Sequence, residues 1–192
     1  RAHLLGELKN DHNHYDLQLK GAGLTAYSRR GDGRAVWRSS LREYLASEAM
    51  QGLGIATSRA LALWDSEEEI YRETVESGAL VLRAGECFVR FGTFEHFYSN
   101  KDHHSLQKLF DYSLKRWYVG LNDSKTKVKD FITEVSKQTS QLMAHWMGVG
   151  FCHGVMNTDN ISLFGLTIDL NVYAFLTALD DNYVPVTALS SF

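Results

Sequence analysis

HGVMNTDN, residues 153–160, decides how the rest of the chain is read. His153 is followed at the eighth position of the stretch by Asn160. That is the spacing of the loop H-x-D-x-x-x-x-N, whose aspartate serves as a base and whose asparagine holds a metal during phosphoryl transfer. The third position, where the aspartate belongs, is Val155. The loop keeps its metal-binding oxygen and lacks the base in the usual place, so a carboxylate has to come from elsewhere if the chemistry persists.

Outward from the loop, two upstream runs carry helical spacing: Val128, Phe131, Ile132, Val135, Leu142, Trp146 and Val149, and before them Leu106, Leu109, Phe110, Leu114 and Trp117. The polar turn Asn122-Asp123-Ser124 separates them. Downstream, 161–164 and 166–169 read as a hairpin around Gly165, with Asn160 and Asp169 at its two ends.

Nearer the start, Tyr15, Leu17 and Leu19 alternate with polar neighbours, a strand period that puts Lys20 on the polar face. The glycine-rich turn GAGLTAYSRRGDGRA, residues 21–35, follows it. Ser40 with Glu43 reads as a capping box opening a helix whose apolar face is Leu41, Tyr44, Leu45 and Ala49. Residues 57–64 read as a strand, and 79–83 with 87–91 as a strand pair joined by a turn through Ala84, Gly85 and Glu86.

A sheet-rich part with one conspicuous helix, residues 1–98, thus precedes a helical part, 99–192, that holds the loop. This is the order of a protein kinase: an α+β, bilobal fold with a nucleotide-binding N-lobe and the start of a helical C-lobe.

Composition narrows the classes. The 192 residues are 44% hydrophobic, enough for a real core. No apolar run has the length of a membrane span, and no export signal is visible, so a membrane partner is not expected. Cys87 and Cys152 form no CxxC pair, which argues against a disulfide scaffold or structural zinc and fits a reducing compartment. The formal charge of -3 is spread over mixed segments and gives no footprint for nucleic acid. Neither end carries a clear capping or linker signal, and the loop lies near the C-terminus, so the chain reads as a fragment of a larger protein.

Handling a nucleoside triphosphate needs cations on the phosphates, a hard metal held by oxygens and a base for the acceptor. Lys20, just before the glycine-rich loop, is placed like a phosphate-binding lysine, and Glu43 like its ion-pair partner. Taken alone, each has a plainer reading, as a solvated strand lysine and a helix-capping glutamate. Asn160 and Asp169 offer oxygens to Mg2+, or else are a turn residue and a strand-end residue. The aromatic run Phe91, Phe94, Phe97 and Tyr98 reads as packing, and His12, His14, His103 and His104 as loop residues.

Three stretches carry a specific resemblance: LQLKGAGLTAYSRRGDGRAVWRSSLREYLASEAM, LRAGECFVRFGTFEHFY and GFCHGVMNTDNISLFGLTID. Together they resemble the selenoprotein O family, also called YdiU, from the first residues to about residue 183. The resemblance implies a kinase-like pseudokinase fold and transfer of AMP from ATP to protein hydroxyls on Ser, Thr or Tyr. It places Lys20, Glu43 and the loop residues Gly31, Asp32 and Gly33 in the nucleotide site, and Arg83 and Arg90 on the phosphates of an inverted ATP. Mg2+ falls to Asn160 and Asp169, and the base to Asp159, directly before Asn160. The missing carboxylate is then relocated within the loop.

The two arginines, on paired strands by the reading above, suit bidentate phosphate contacts. The alternative function is a nucleotide-binding scaffold without turnover. A bacterial member would be cytoplasmic and a eukaryotic one mitochondrial.

The chain departs from the family where Leu24 and Ala26 replace prolines and where Asn171-Val172-Tyr173 replaces a Gly-Pro-Phe run. Family members are also longer, continuing into a further helical region.

Overall fold

A computed structural model describes residues 2–11, 13–26, 28 and 31–178. The chain divides into two compact units, Arg1–Cys87 with Thr167–Asn171, and Phe88–Leu166 with Val172–Phe192. The class is α+β, with antiparallel sheets and four α-helices among the described residues.

The first unit is built on strands β1 (Ala2–Lys9), β2 (His14–Lys20), β3 (Ala35–Val36), β4 (Arg59–Tyr71) and β5 (Val75–Gly85). All pairings are antiparallel, and β5 is the shared strand. It pairs with β2 through residues 81–85 and with β3 through Gly78 and Ala79, while β4 runs along its other edge. Gln18 faces Arg83 and Lys20 faces Val81, so the strand alternation sets Gln18, Lys20 and Arg83 on one face.

Residues 79–91 do not form the expected hairpin. β5 continues through Ala84 and Gly85, whose neighbours on β2 and β4 supply hydrogen-bond partners, and its hairpin partner is β4. β4 is longer than 57–64 because a register shift between Asp65 and Glu69, with Glu67 at φ 54°, lets the ladder continue to Tyr71.

Helix α1 (Trp37–Gly52) begins before Ser40, with Val36 at the N-cap and no side-chain cap. Ser40 and Glu43 are inside the helix and buried, so they are not a capping box. The three-residue spacing of a capping box also puts two residues on one helix face, and here the face is what matters. The buried side is Ser40, Glu43, Ala46, Ser47 and Met50, and the apolar stripe lies opposite, with Leu45 57% exposed.

The same unit includes the returning segment 167–171. Ser58 donates its N–H to the Thr167 carbonyl at 3.0 Å, and Thr167 returns one to Ala56 at 2.9 Å. Ile168 and Leu170 are buried here.

The second unit contains α2 (Phe91–Ser99), α3 (His103–Trp117), α4 (Lys127–Gly148) and the short pair β6 (Phe151–Cys152) and β7 (Ala174–Phe175). The two long helices match their sequence periodicity. Asp102 caps α3 by accepting from the Ser105 N–H at 3.0 Å. Phe131 on α4 is the hub of the core, with ring centroids 5.1 Å from Phe110, 5.1 Å from Tyr118 and 6.2 Å from Phe94. Phe94 therefore packs as the sequence suggests, whereas Tyr98 is exposed.

Residues 87–91 are not a strand. Arg90 makes one isolated bridge, to Ser162, and then caps α2. The hairpin expected over 161–169 is also absent, because Ser162 pairs with Arg90 in this unit and Thr167 with Thr57 in the other. No described helix is long and apolar enough to cross a membrane.

Candidate functional site

In the first unit, four segments remote in sequence bring charge together. Lys20, at the end of β2, donates from Nζ to Glu43 Oε2 at 2.5 Å and to Asp169 Oδ1 at 2.9 Å. Arg83 on β5 donates from Nη1 to Glu43 Oε1 and to Asp169 Oδ1, each at 3.0 Å, and from Nη2 to Gln18 Oε1 at 3.1 Å.

Arg83 is 1% exposed. Burial opposes its charge, but Asp169 and then Glu43 outweigh that and hold its pKa above the ordinary guanidinium value. Two cations against two carboxylates leave the cluster formally neutral, which is how four charges tolerate so little water.

The chain is bent to deliver Asp169. Its φ of 58° lies in the left-handed region, which aspartate tolerates better than most residues. Two residues on, Asn171 N–H donates to the Asp169 carbonyl at 2.8 Å. The Asn171 amide, oriented so that its oxygen faces the ammonium, accepts from Lys20 Nζ and donates to Glu43 Oε2, both at 3.1 Å.

The glycine-rich loop belongs to the same unit. Gly33 has a φ of 74°, and a Cβ there would lie 1.9 Å from the Gly23 carbonyl oxygen, so the approach of these two strands requires glycine. Gly31 has open space where a Cβ would go. Asp32 accepts two bonds from Arg72, at 2.8 and 2.9 Å, and one from the Arg34 N–H at 2.9 Å. Arg72 first, then that N–H, hold the Asp32 carboxyl below its ordinary value. The loop tip is thus anchored to the β4–β5 turn.

The second unit holds the HGVMNTDN loop. His153 is buried and stacks on Trp146 at 5.4 Å between ring centroids. Asn160 donates from Nδ2 to the Val155 carbonyl at 2.9 Å. The Asp159 N–H donates to Asn157 Oδ1 at 3.0 Å.

The loop is seated on the start of α2, where the Gly92 N–H donates to the Thr158 carbonyl at 2.7 Å and the Phe91 N–H to Ile161 at 3.2 Å. A Cβ on Gly92 would stand 2.6 Å from Asp159 Oδ1, so this glycine sets how closely the Asp159 carboxylate approaches the positive end of the helix. Arg90, the cap of that helix, is half-buried.

The structure therefore brings Lys20, Glu43, Arg83 and Asp169 into one cluster of the first unit, and sets Arg90, Asp159 and Asn160 in the second. Arg83 and Arg90 do not share a hairpin. Sequence reading missed Gln18 and met Asn171 only as a departure from the family, without a place in the cluster. Gln18 was findable, being two residues from Lys20 on the same strand face. Asn171 had no signal in periodicity, because it acts from an irregular turn. Of the histidines, His14 pairs with Glu7 at 2.8 Å and His12 lies outside the described residues.

The structure thus holds a lysine against a helix glutamate and an aspartate in the unit that also contains the glycine-rich loop. Over residues 1–188 the chain matches the family described as Protein adenylyltransferase SelO, and it belongs to that family. It is 54% identical over 187 residues to "Protein nucleotidyltransferase YdiU" of Bordetella avium. It is 50% identical over 184 residues to the protein of that name in Burkholderia thailandensis, and 49% over 184 to that in Dechloromonas aromatica. Each alignment covers 96% of this chain but only 38%, 35% and 37% of the respective relative. The chain thus spans well under half the length of these relatives.

Proposed function

We propose that this chain carries the nucleotide-handling core of a kinase-like protein adenylyltransferase, which binds ATP with Mg2+ and passes AMP to a hydroxyl of a protein. The observation that supports it most is the buried cluster of Lys20, Glu43, Arg83 and Asp169 in a member of the SelO family.

In this reading ATP lies inverted, with Arg90 and Arg83 on its terminal phosphates. Arg83 keeps Nη1 on the carboxylates and exchanges Gln18 for a phosphate oxygen at Nη2. Lys20 neutralises phosphate charge. A protein hydroxyl attacks the α-phosphorus, the bond to the bridging oxygen of the β-phosphate breaks, and pyrophosphate leaves. Asp159 takes the hydroxyl proton.

In this reading Asp169, with its carboxylate, and Asn160, with its amide oxygen, would hold Mg2+, donor types that suit a hard cation. When bound, the ion would neutralise charge on the phosphates.

The test uses the complete protein that carries this chain, with ATP labelled at either the α- or the γ-phosphate. Label on protein from the α-position alone is expected. Label from the γ-position alone would overturn the inverted nucleotide, and ATP binding without label from either would favour a scaffold.

A further inference from the structure

An ammonium group has three N–H donors. On Lys20 all three meet protein acceptors: Glu43 Oε2, Asp169 Oδ1 and the Asn171 amide oxygen. The first two are carboxylates at 2.5 and 2.9 Å, whereas the third is a neutral amide at 3.1 Å. All three share an ionised donor, but only the first two also have an ionised acceptor, and the amide bond is the longest, so it is the weakest of the three. A phosphate oxygen can reach Lys20 only by displacing one of these partners, and Asn171 is the one that yields most readily.

From this we infer that Asn171 is a placeholder in the nucleotide site: its amide oxygen holds the Lys20 donor that a phosphate oxygen takes when ATP binds. The inference rests on the nucleotide reading above and adds a direction to it. Asn171 competes with the ligand instead of assisting it.

Two further features support displacement of the side chain. Asn171 is not among the non-glycine residues with positive φ, so its side chain sits on an ordinary backbone and can change rotamer without strain. Its second bond goes to Glu43, which keeps Arg83 and Lys20 when the amide leaves. Removing the side chain therefore unseats none of the four charged groups.

The experiment is an ATP titration of the complete protein in the presence of Mg2+, comparing wild type with Asn171→Ala, Asn171→Ser and Asn171→Asp. Neither alanine nor serine reaches Lys20, and either alone suffices if the other fails to fold. Both should bind ATP about threefold to tenfold more tightly, the net worth of one hydrogen bond no longer broken on binding. Asn171→Asp, almost the same size, should bind more weakly than wild type, because a carboxylate grips Lys20 harder and repels phosphate.

A merely structural asparagine would give the opposite sign for the shortened variants. Wild-type binding with unchanged or weaker binding by both the alanine and serine variants would overturn the placeholder and leave the nucleotide site standing. No binding by wild type or any variant would overturn both.

Discussion

Helix α1 turns Ser40, Glu43 and Ser47 inward and leaves Leu45 in solvent, whereas α4 buries Phe131, Val135, Leu142 and Trp146. Each helix buries apolar residues, Ala46 and Met50 on α1 among them, but only α1 carries polar and charged groups on its buried face. The difference lies in what each helix meets. α4 packs against rings, among them Tyr118 and Phe151. α1 presents Glu43 to Lys20 and Arg83, and gives Ser47 Oγ to the Ala60 N–H at 3.2 Å. A buried carboxylate is stable only where cations and donors meet it, so α1 is held by partners supplied from distant strands.

The strongest way to break this contrast is Arg83→Leu. It leaves two buried carboxylates facing Lys20 alone within the cluster, and should cost about 3–5 kcal/mol in urea unfolding of the complete protein. A loss below about 1 kcal/mol would mean that charge does not hold the α1 face. Trp146→Ala is the counterpart on α4. Removing a ring packed on Phe151 and His153 should cost about 3 kcal/mol through the cavity it leaves.

A smaller effect concerns the Arg72–Asp32 pair at the loop tip. Because the folded Asp32 pKa lies below 3.8, the pair adds stability above that pH and loses it as pH falls through the depressed value. Both side chains are partly exposed, so the gain is at most about 1 kcal/mol. The stability gap between wild type and Arg72→Gln should therefore narrow on acidification from about pH 6 to about pH 3, and a constant gap would remove the pair from the account. Least of all, Leu45→Gln should change stability by no more than about 0.5 kcal/mol. A cost above about 2 kcal/mol would place the apolar stripe of α1 in a core after all.

Legibility in the sequence follows the same line. α3 and α4 could be read because burial follows the helical period there, and β2 because its apolar and polar residues alternate in sequence. The Lys20–Glu43 pair could be anticipated from chain order, although Glu43 was assigned the wrong helical position. Three features could not be read. β5 looked broken at Ala84-Gly85-Glu86 because small residues resemble a turn, yet backbone partners on both edges keep it extended through Gly85. α2 starts at Arg90 without a favoured capping residue, its first N–H groups being satisfied by carbonyls of the 158–161 loop. Asn171 enters the charge cluster from a turn two residues beyond Asp169, where no periodicity applies.

The central place of β5 has a consequence for amide hydrogen exchange. Flanked on both edges, its amides around Arg83 should be among the last of the first unit to exchange, and those of segment 167–171, which meets that unit at the bridge between Thr57 and Thr167, should exchange sooner. On that expectation the charge cluster has a slow half, the strand bearing Arg83, and a faster half, the segment bearing Asp169 and Asn171. Partial opening would release Asp169 while Arg83 stays ordered, so the protein can lose its candidate metal ligand without unfolding the sheet beneath it.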